Sequence, residues 1–186
     1  MSRLFLHDCL YFVTVPTFEH EPIFNQVEER RILLDRLQNA FHRFGLRRAH
    51  FSVMSDHYHF VSPVTDGSVI PRVLQAINGG TSFDLHMKRD QSLWGEYHVY
   101  VPTTEEIFAR VIGYVVGNPV KHGDVQTLDE LTHWEFSSYS ILVEDVGVQT
   151  AEAMVRASVA MEDEDFAIIL NTRDGAEAPG KRARRG

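Results

Sequence analysis

The stretch FSVMSDHYHFV at residues 51–61 decides how this chain reads. Taken a little wider, residues 48–55 and 57–64 are each rich in β-branched and aromatic residues, the composition of strands. The short Ser55-Asp56 link between them predicts a hairpin or a kinked strand. Strand side chains alternate faces, so His57 and His59 point one way and Tyr58 the other. Two imidazoles two residues apart on one face can grip one divalent metal. An HxH pair is equally readable as two surface histidines, and ten histidines in the chain make a chance pairing easy. The surrounding sequence has to decide.

Upstream, residues 10–16, LYFVTVP, read as a strand ended by Pro16. Residues 17–25 form a loop with Pro22, Ile23 and Phe24 against the core. Residues 26–44 read as an amphipathic helix, with Leu33, Leu37, Phe41 and Phe44 at helical spacing and Gly45 as its stop. Arg36, Arg43 and Arg47 fall at i, i+7 and i+11. If the helix persists to Arg47 they form one basic stripe, which is either a solvated face or a phosphate contact.

Downstream, residues 69–89 look helical, with Gly79-Gly80 as an interruption or bend. Residues 93–101, LWGEYHVYV, return to strand character. Residues 103–118 carry a capping box from Thr103 and Glu106, and Asn118 before Pro119 predicts the helix end. Residues 134–143, WEFSSYSILV, are a short aromatic-rich return, and residues 149–161 are helix-compatible. Strands and helices alternate with varied connections, and there is no GxGxxG or phosphate loop. The expected class is therefore α+β, an antiparallel β-sheet flanked by helices.

Arg110, Tyr114 and Asn118 lie four apart and stack along one helix face. An amide oxygen can coordinate a metal, and a phenol can attack phosphorus once deprotonated. A phenol ordinarily holds its proton until about pH 10, so it needs a nearby metal, cation or base. A packed helical tyrosine followed by an Asn-Pro stop is the plainer reading of the same residues.

Charge is unevenly spread. With 18 Lys+Arg and 26 Asp+Glu the net charge is −8, whereas phosphate binders are usually basic. Residues 1–143 carry a net −5, residues 144–165 a net −6 and residues 166–186 a net +3. Residues 30–48 hold six arginines against the single acid Asp35, so a local basic surface is compatible with an acidic chain. One cysteine, Cys9, excludes a disulfide framework and a Cys-rich zinc module. No charge-free apolar run would span a bilayer, and MSRLFLHDC lacks a signal peptide's apolar stretch. The expectation is a cytoplasmic protein with no membrane partner.

Several segments in order resemble one family, the REP-associated tyrosine transposases of the HUH single-tyrosine superfamily. YFVTVPTFEHEPIF resembles its opening strand and loop, and FSVMSDHYHFV its HUH strand, where an acid or Asn commonly precedes the first histidine. LWGEYHVYV is similar to its Trp-led strand, ARVIGYVVGNPVKHGDV to its tyrosine helix, and HWEFSSY to the aromatic segment that follows. The resemblance runs from about residue 10 to residue 143. It implies an HUH catalytic domain over 1–143, of ferredoxin-like or RRM-like nuclease fold. Residues 144–186 lie outside the resemblance; their composition predicts an acidic helical appendage at 144–171 and a disordered basic tail at 172–186.

The resemblance also implies a mechanism. His57 and His59 would bind Mg²⁺ or Mn²⁺ with Asn118 as third ligand, and Tyr114 would attack phosphorus in single-stranded or hairpin DNA. The products would be a 5′-phosphotyrosine link and a free 3′-OH. Arg36, Arg43, Arg47 and Lys121 are the expected phosphate contacts. The family usually places basic residues after the Trp and on the helix after the HUH strand; this chain has Gly95-Glu96 and Asn78-Gly79-Gly80 there. A domesticated nucleic-acid-binding protein that does not cut is therefore the alternative reading. A phosphoesterase without a covalent intermediate is a third.

Overall fold

The computed structural model describes residues 7–87 and 92–161, and the backbone of Ala176–Glu177. Five antiparallel strands lie in the order β2-β3-β1-β4-β5. They are β1 (His7–Pro16), β2 (His50–Val53), β3 (His57–Asp66), β4 (His98–Val101) and β5 (Ala176–Glu177). The first four with their two crossover helices make the split β-α-β, ferredoxin-like arrangement. The helices are α1 (Val27–Phe44), α2 (Ile70–Asp84), α3 (Glu105–Lys121), α4 (Leu128–Thr132), α5 (Tyr139–Val146) and α6 (Val148–Val159).

Alternation along the central strands sorts side chains into two cores. Tyr11, Val13 and Val15 of β1 and Tyr58 and Phe60 of β3 face α1 and α2, where Leu33, Leu37, Val73 and Ile77 meet them fully buried. Phe12 and Val61 face the other way, onto Val111, Tyr114 and Val115 of α3. Each such aliphatic or aromatic side chain removed from water contributes about 1.5–3 kcal/mol. The register pairs Thr14 with His59 across β1–β3, and Ser52 with His59 across β2–β3. His59 thus sits in the middle of the sheet on the α3 face.

α1 starts with a capping box between Gln26 and Glu29 and ends where Gly45 takes φ +75°. That left-handed step suits glycine, and it puts Arg47 beyond the helix. The expected stripe of Arg36, Arg43 and Arg47 is therefore broken. α3 differs from expectation at both ends. Thr104, not Thr103, is the cap, and its hydroxyl accepts from the Ile107 N–H at 3.2 Å. Pro119 does not stop the helix, which runs on to Lys121. Proline near a C-terminus removes only its own N–H from the ladder, and His122 N–H still closes the last turn on the Asn118 carbonyl at 3.0 Å.

Residues 139–143 belong to helix α5 rather than to a strand-like return; only Ser137 makes a bridge, to Ser52. The expected strand over 93–101 is regular only from His98, with Trp94 bridged to Thr17.

The acidic segment after residue 143 is not set apart from the domain in its described part. α5 runs across that boundary, and α6 packs along α3 with Ala151, Val155 and Ser158 buried. Two glycines one turn apart on α3 permit the approach. A Cβ on Gly113 would lie 2.7 Å from Ser158 Oγ, and one on Gly117 would lie 2.8 Å from Val155 Cγ1. Of the expected disordered tail, only Ala176–Glu177 is described, as a two-residue strand paired with β4; its other residues, and residues 162–171 of the appendage, lie outside the described residues. No helix among the described residues is long and apolar enough to cross a membrane.

Candidate active site

β3 and α3 bring the two sequence motifs together. His57 and His59 leave β3 on the α3 side with ring centroids 4.6 Å apart. Asn118 is fully buried, and its Oδ1 lies 3.1 Å from His57 Nε2. Tyr114, one turn earlier and 9 % exposed, packs edge-on to His59 with centroids 5.5 Å apart. Phe12 packs against both rings, with centroids 6.2 Å from Tyr114 and 5.7 Å from His59. Tyr58 is fully buried on the opposite face, where its hydroxyl donates to Asn78 Oδ1 at 2.7 Å.

Hydrogen bonds fix the orientation of each donor group. Asn118 Nδ2 donates to the Tyr114 carbonyl at 3.2 Å, which turns Oδ1 toward His57. His57 Nδ1 lies 2.7 Å from Asp56 Oδ1. A carboxylate there favours the proton on Nδ1 and leaves Nε2 as a lone pair directed at Asn118 Oδ1. Two acceptors at 3.1 Å repel unless a proton or a cation lies between them. The Asp56 carboxyl is held down at about 2, first by the hydrogen bond to His57, with burial opposing and His20 at 3.3 Å assisting. It therefore stays charged at neutral pH.

His59 is 3 % exposed, and its Nδ1 lies 2.9 Å from Thr14 Oγ1. Its Nε2 is buried with no hydrogen-bond partner. Burial, reinforced by His57 and His122, keeps this imidazole well below its ordinary value and hence neutral. Metals bind neutral imidazole. An unpartnered nitrogen on His59, a lone pair on His57 and an amide oxygen on Asn118 thus form a donor set that fits a divalent cation. Among the described residues no three His, Cys, Asp or Glu side chains are grouped to hold a metal, so a cation here needs the Asn118 amide. Its remaining positions would fall to water or a phosphate oxygen.

The extra turn beyond Pro119 places Lys121 on the face of Tyr114. Its Nζ lies 5.1 Å from the Tyr114 ring centroid and donates to the Met161 carbonyl at 2.8 Å. His122 caps the helix through its backbone, and its ring lies 5.3 Å from His57. The expected arginines are elsewhere. Arg36 is clamped on Asp84 by two hydrogen bonds of 2.6 Å. Arg43 lies in the last turn of α1 and Arg47 in the loop just beyond it, on the sheet face away from Tyr114. Asp56 is the acid that precedes the first histidine of the motif, whereas Thr14 is a site residue that motif reading does not single out. Only the register of β1 on β3 exposes the role of Thr14.

The REP-associated tyrosine transposase solved in complex with a REP hairpin superposes with a TM-score of 0.63, covering 77% of this chain and 84% of that one at 17% identity. The chain has the fold of that transposase. A second solved structure, a Deinococcus radiodurans protein described as a transposase, covers 61% of this chain and 93% of its own at 22% identity. Its TM-score of 0.43 is too low to carry an argument. No protein-family model and no curated protein matches. The transposase fold agrees with the expected α+β class, and the likeness extends to fold alone.

Proposed function

We propose that this chain is a DNA strand transferase that cleaves and rejoins single-stranded or hairpin DNA through a 5′-phosphotyrosine on Tyr114. In this reading His57, His59 and Asn118 hold Mg²⁺ or Mn²⁺. When bound, such an ion supplies Lewis-acid polarisation of the scissile phosphate. The observation that carries the proposal is the buried, unpartnered His59 Nε2 beside the 3.1 Å contact of His57 Nε2 with Asn118 Oδ1, with Tyr114 packed against the same imidazole.

The residues divide the work as follows. Asp56 and Thr14 orient the two imidazoles and select their tautomers. Asn118, tied to the Tyr114 carbonyl, couples the donor set to the nucleophile's helix turn. The Lys121 ammonium beside the Tyr114 ring favours negative charge on the phenol oxygen as its proton leaves to solvent. That oxygen forms a bond to phosphorus, the P–O3′ bond breaks, and the 3′ oxygen takes up a proton. The phosphate stays esterified to Tyr114, so a later 3′-OH attack reverses the step without a nucleotide cofactor.

The test mixes the protein with 5′- or 3′-labelled hairpin and single-stranded oligonucleotides and Mn²⁺, followed by a denaturing gel. Wild type should give a covalent protein–DNA band that Tyr114→Phe and EDTA each abolish. Binding without any band would favour the non-cutting nucleic-acid-binding alternative. Free cleaved product that Tyr114→Phe still makes would favour a phosphoesterase.

A further inference from the structure

Among the described residues three buried side-chain polar atoms have no hydrogen-bond partner, namely His59 Nε2, Ser52 Oγ and Trp134 Nε1. The first two are neighbours. Ser52 on β2 is paired with His59 on β3, and side chains directly opposite each other in an antiparallel pair share a face. Phe51 and Val53 join the core under α1 and α2, so alternation turns Ser52 to the α3 side. There it is fully buried. The outer edge of β2 is closed over it, with the Val53 N–H donating to the Phe136 carbonyl at 2.8 Å and the Ser138 N–H to the Phe51 carbonyl at 3.0 Å. Ser137, bridged to Ser52 on that edge, directs its own hydroxyl to the Val116 carbonyl at 2.8 Å. On the other flank of His59, Thr14 Oγ1 holds Nδ1 from β1. The two ring nitrogens point apart, so Nε2 is turned away from β1, toward the side where Ser52 lies.

We propose that Ser52 is a positioning residue for the divalent cation, its hydroxyl accepting a hydrogen bond from a water in the ion's coordination shell. This rests on the reading of His57, His59 and Asn118 as a cation site and adds a fourth side chain to it. Opposed Cβ atoms lie ~4.5–5.5 Å apart. The serine oxygen extends one bond beyond its Cβ, whereas Nε2 stands at the far end of its ring. The two atoms therefore do not bond each other, and an ion on Nε2 comes within one water of Oγ. Mg²⁺ gives up its waters reluctantly and keeps several when bound to protein. Water on a divalent ion is polarised and donates more strongly than bulk water, which suits a neutral hydroxyl oxygen as acceptor. Partners of this kind, one step beyond the ligands, set how firmly the ion is held. Tyr114 packs against Phe12 of β1 as well as against His59, so Ser52 and the phenol approach that imidazole from different flanks. A water held by Ser52 leaves the Tyr114 side open to phosphate.

The test is calorimetric titration of the metal-free full chain with Mn²⁺ alone, with thermal melts in parallel. Ser52→Ala should bind Mn²⁺ about tenfold more weakly than wild type, the lower end of the effect of such partners. Ser52→Thr keeps the hydroxyl on a side chain suited to a strand and should stay within about threefold of wild type. Without metal, Ser52→Ala should melt no lower than wild type, since it loses no hydrogen bond inside the protein. In equal Mn²⁺ its Tm should rise less, because stabilisation by a ligand follows affinity. A water that only bridged Ser52 and His59 would lower the metal-free Tm of Ser52→Ala and leave Mn²⁺ affinity unchanged; that result overturns the proposal. Equal losses of affinity in Ser52→Ala and Ser52→Thr overturn it as well, because the hydroxyl is then not what matters. In both cases, Mn²⁺ binding by wild type that His57→Ala with His59→Ala abolishes keeps the cation site itself. A wild type that takes up no Mn²⁺ rejects the cation site, and this proposal with it.

Discussion

Replacing Gly113 with alanine tests whether α6 belongs to the active-site scaffold. The added Cβ would overlap the Met154 carbonyl oxygen and lie 2.7 Å from both Met154 C and Ser158 Oγ. Two of these atoms are backbone, so no rotamer change relieves the clash and α6 must move outward. Overpacking of this kind costs about 1–3 kcal/mol. Moving α6 also strains the Ser158 Oγ hydrogen bond to the Arg110 carbonyl, 2.9 Å long, worth about 1 kcal/mol. Alanine's better helix propensity returns about 1 kcal/mol. The net loss is about 2 kcal/mol, or roughly 4–8 °C in Tm for a chain of this size. Gly79→Ala is the matched control, because a Cβ there meets nothing within 4 Å; it should be neutral or stabilising by up to about 1 kcal/mol. Urea and thermal unfolding of both variants make the comparison. If Gly113→Ala is as stable as Gly79→Ala, α6 is not seated on α3, and the account of that interface is wrong.

Asp56→Asn should weaken Mn²⁺ binding by about 10–100-fold in calorimetry, because it removes the carboxylate that orients His57. In wild type, the Asp56 carboxyl is depressed to about 2 from 3.8, so its stabilisation is complete above pH 4 and is lost as pH falls toward 2; the Asn variant should lack that part of the acid limb in urea midpoints. His59 is held neutral by burial, so without metal its contribution runs the other way, with stability declining as pH falls below about 6.5, and His59→Gln should flatten that decline. Tyr58→Phe should leave covalent attachment intact while costing about 1 kcal/mol for the lost bond to Asn78, read by thermal melts. Lys121→Gln should slow covalent attachment about tenfold and shift its pH–rate profile upward, measured by gel time courses.

The fold and the heart of the site were legible because they depend on short-range chemistry. Alternation in residues 57–61 put both histidines on one face, and the four-residue spacing of Tyr114 and Asn118 put them on one helix stripe. The first helix and its glycine stop followed from periodicity and from the left-handed preference at Gly45. What escaped depends on contacts between distant segments. The seating of α6 on Gly113 and Gly117 requires knowing which helix approaches those glycines, and the acidic composition of residues 144–165 pointed instead to an appendage. Thr14 gains its role only from the β1–β3 register. Arg36 reads as a free cation in sequence because its partner, Asp84, lies 48 residues away. The expectation that Pro119 ends its helix failed because a missing N–H matters little near a terminus, and that failure hid the placement of Lys121 over Tyr114.

The most direct measurement of the central claim is mass spectrometry of the covalent product. The protein is incubated with a short oligonucleotide and Mn²⁺, treated with nuclease, digested and mapped for a phosphonucleotide remnant. The account predicts the remnant on Tyr114 within the peptide spanning residues 111–121, present in wild type and missing when both His57→Ala and His59→Ala are introduced. A remnant on Tyr58, Tyr100 or any other side chain, or one on Tyr114 that persists in the double variant with EDTA present, would contradict it.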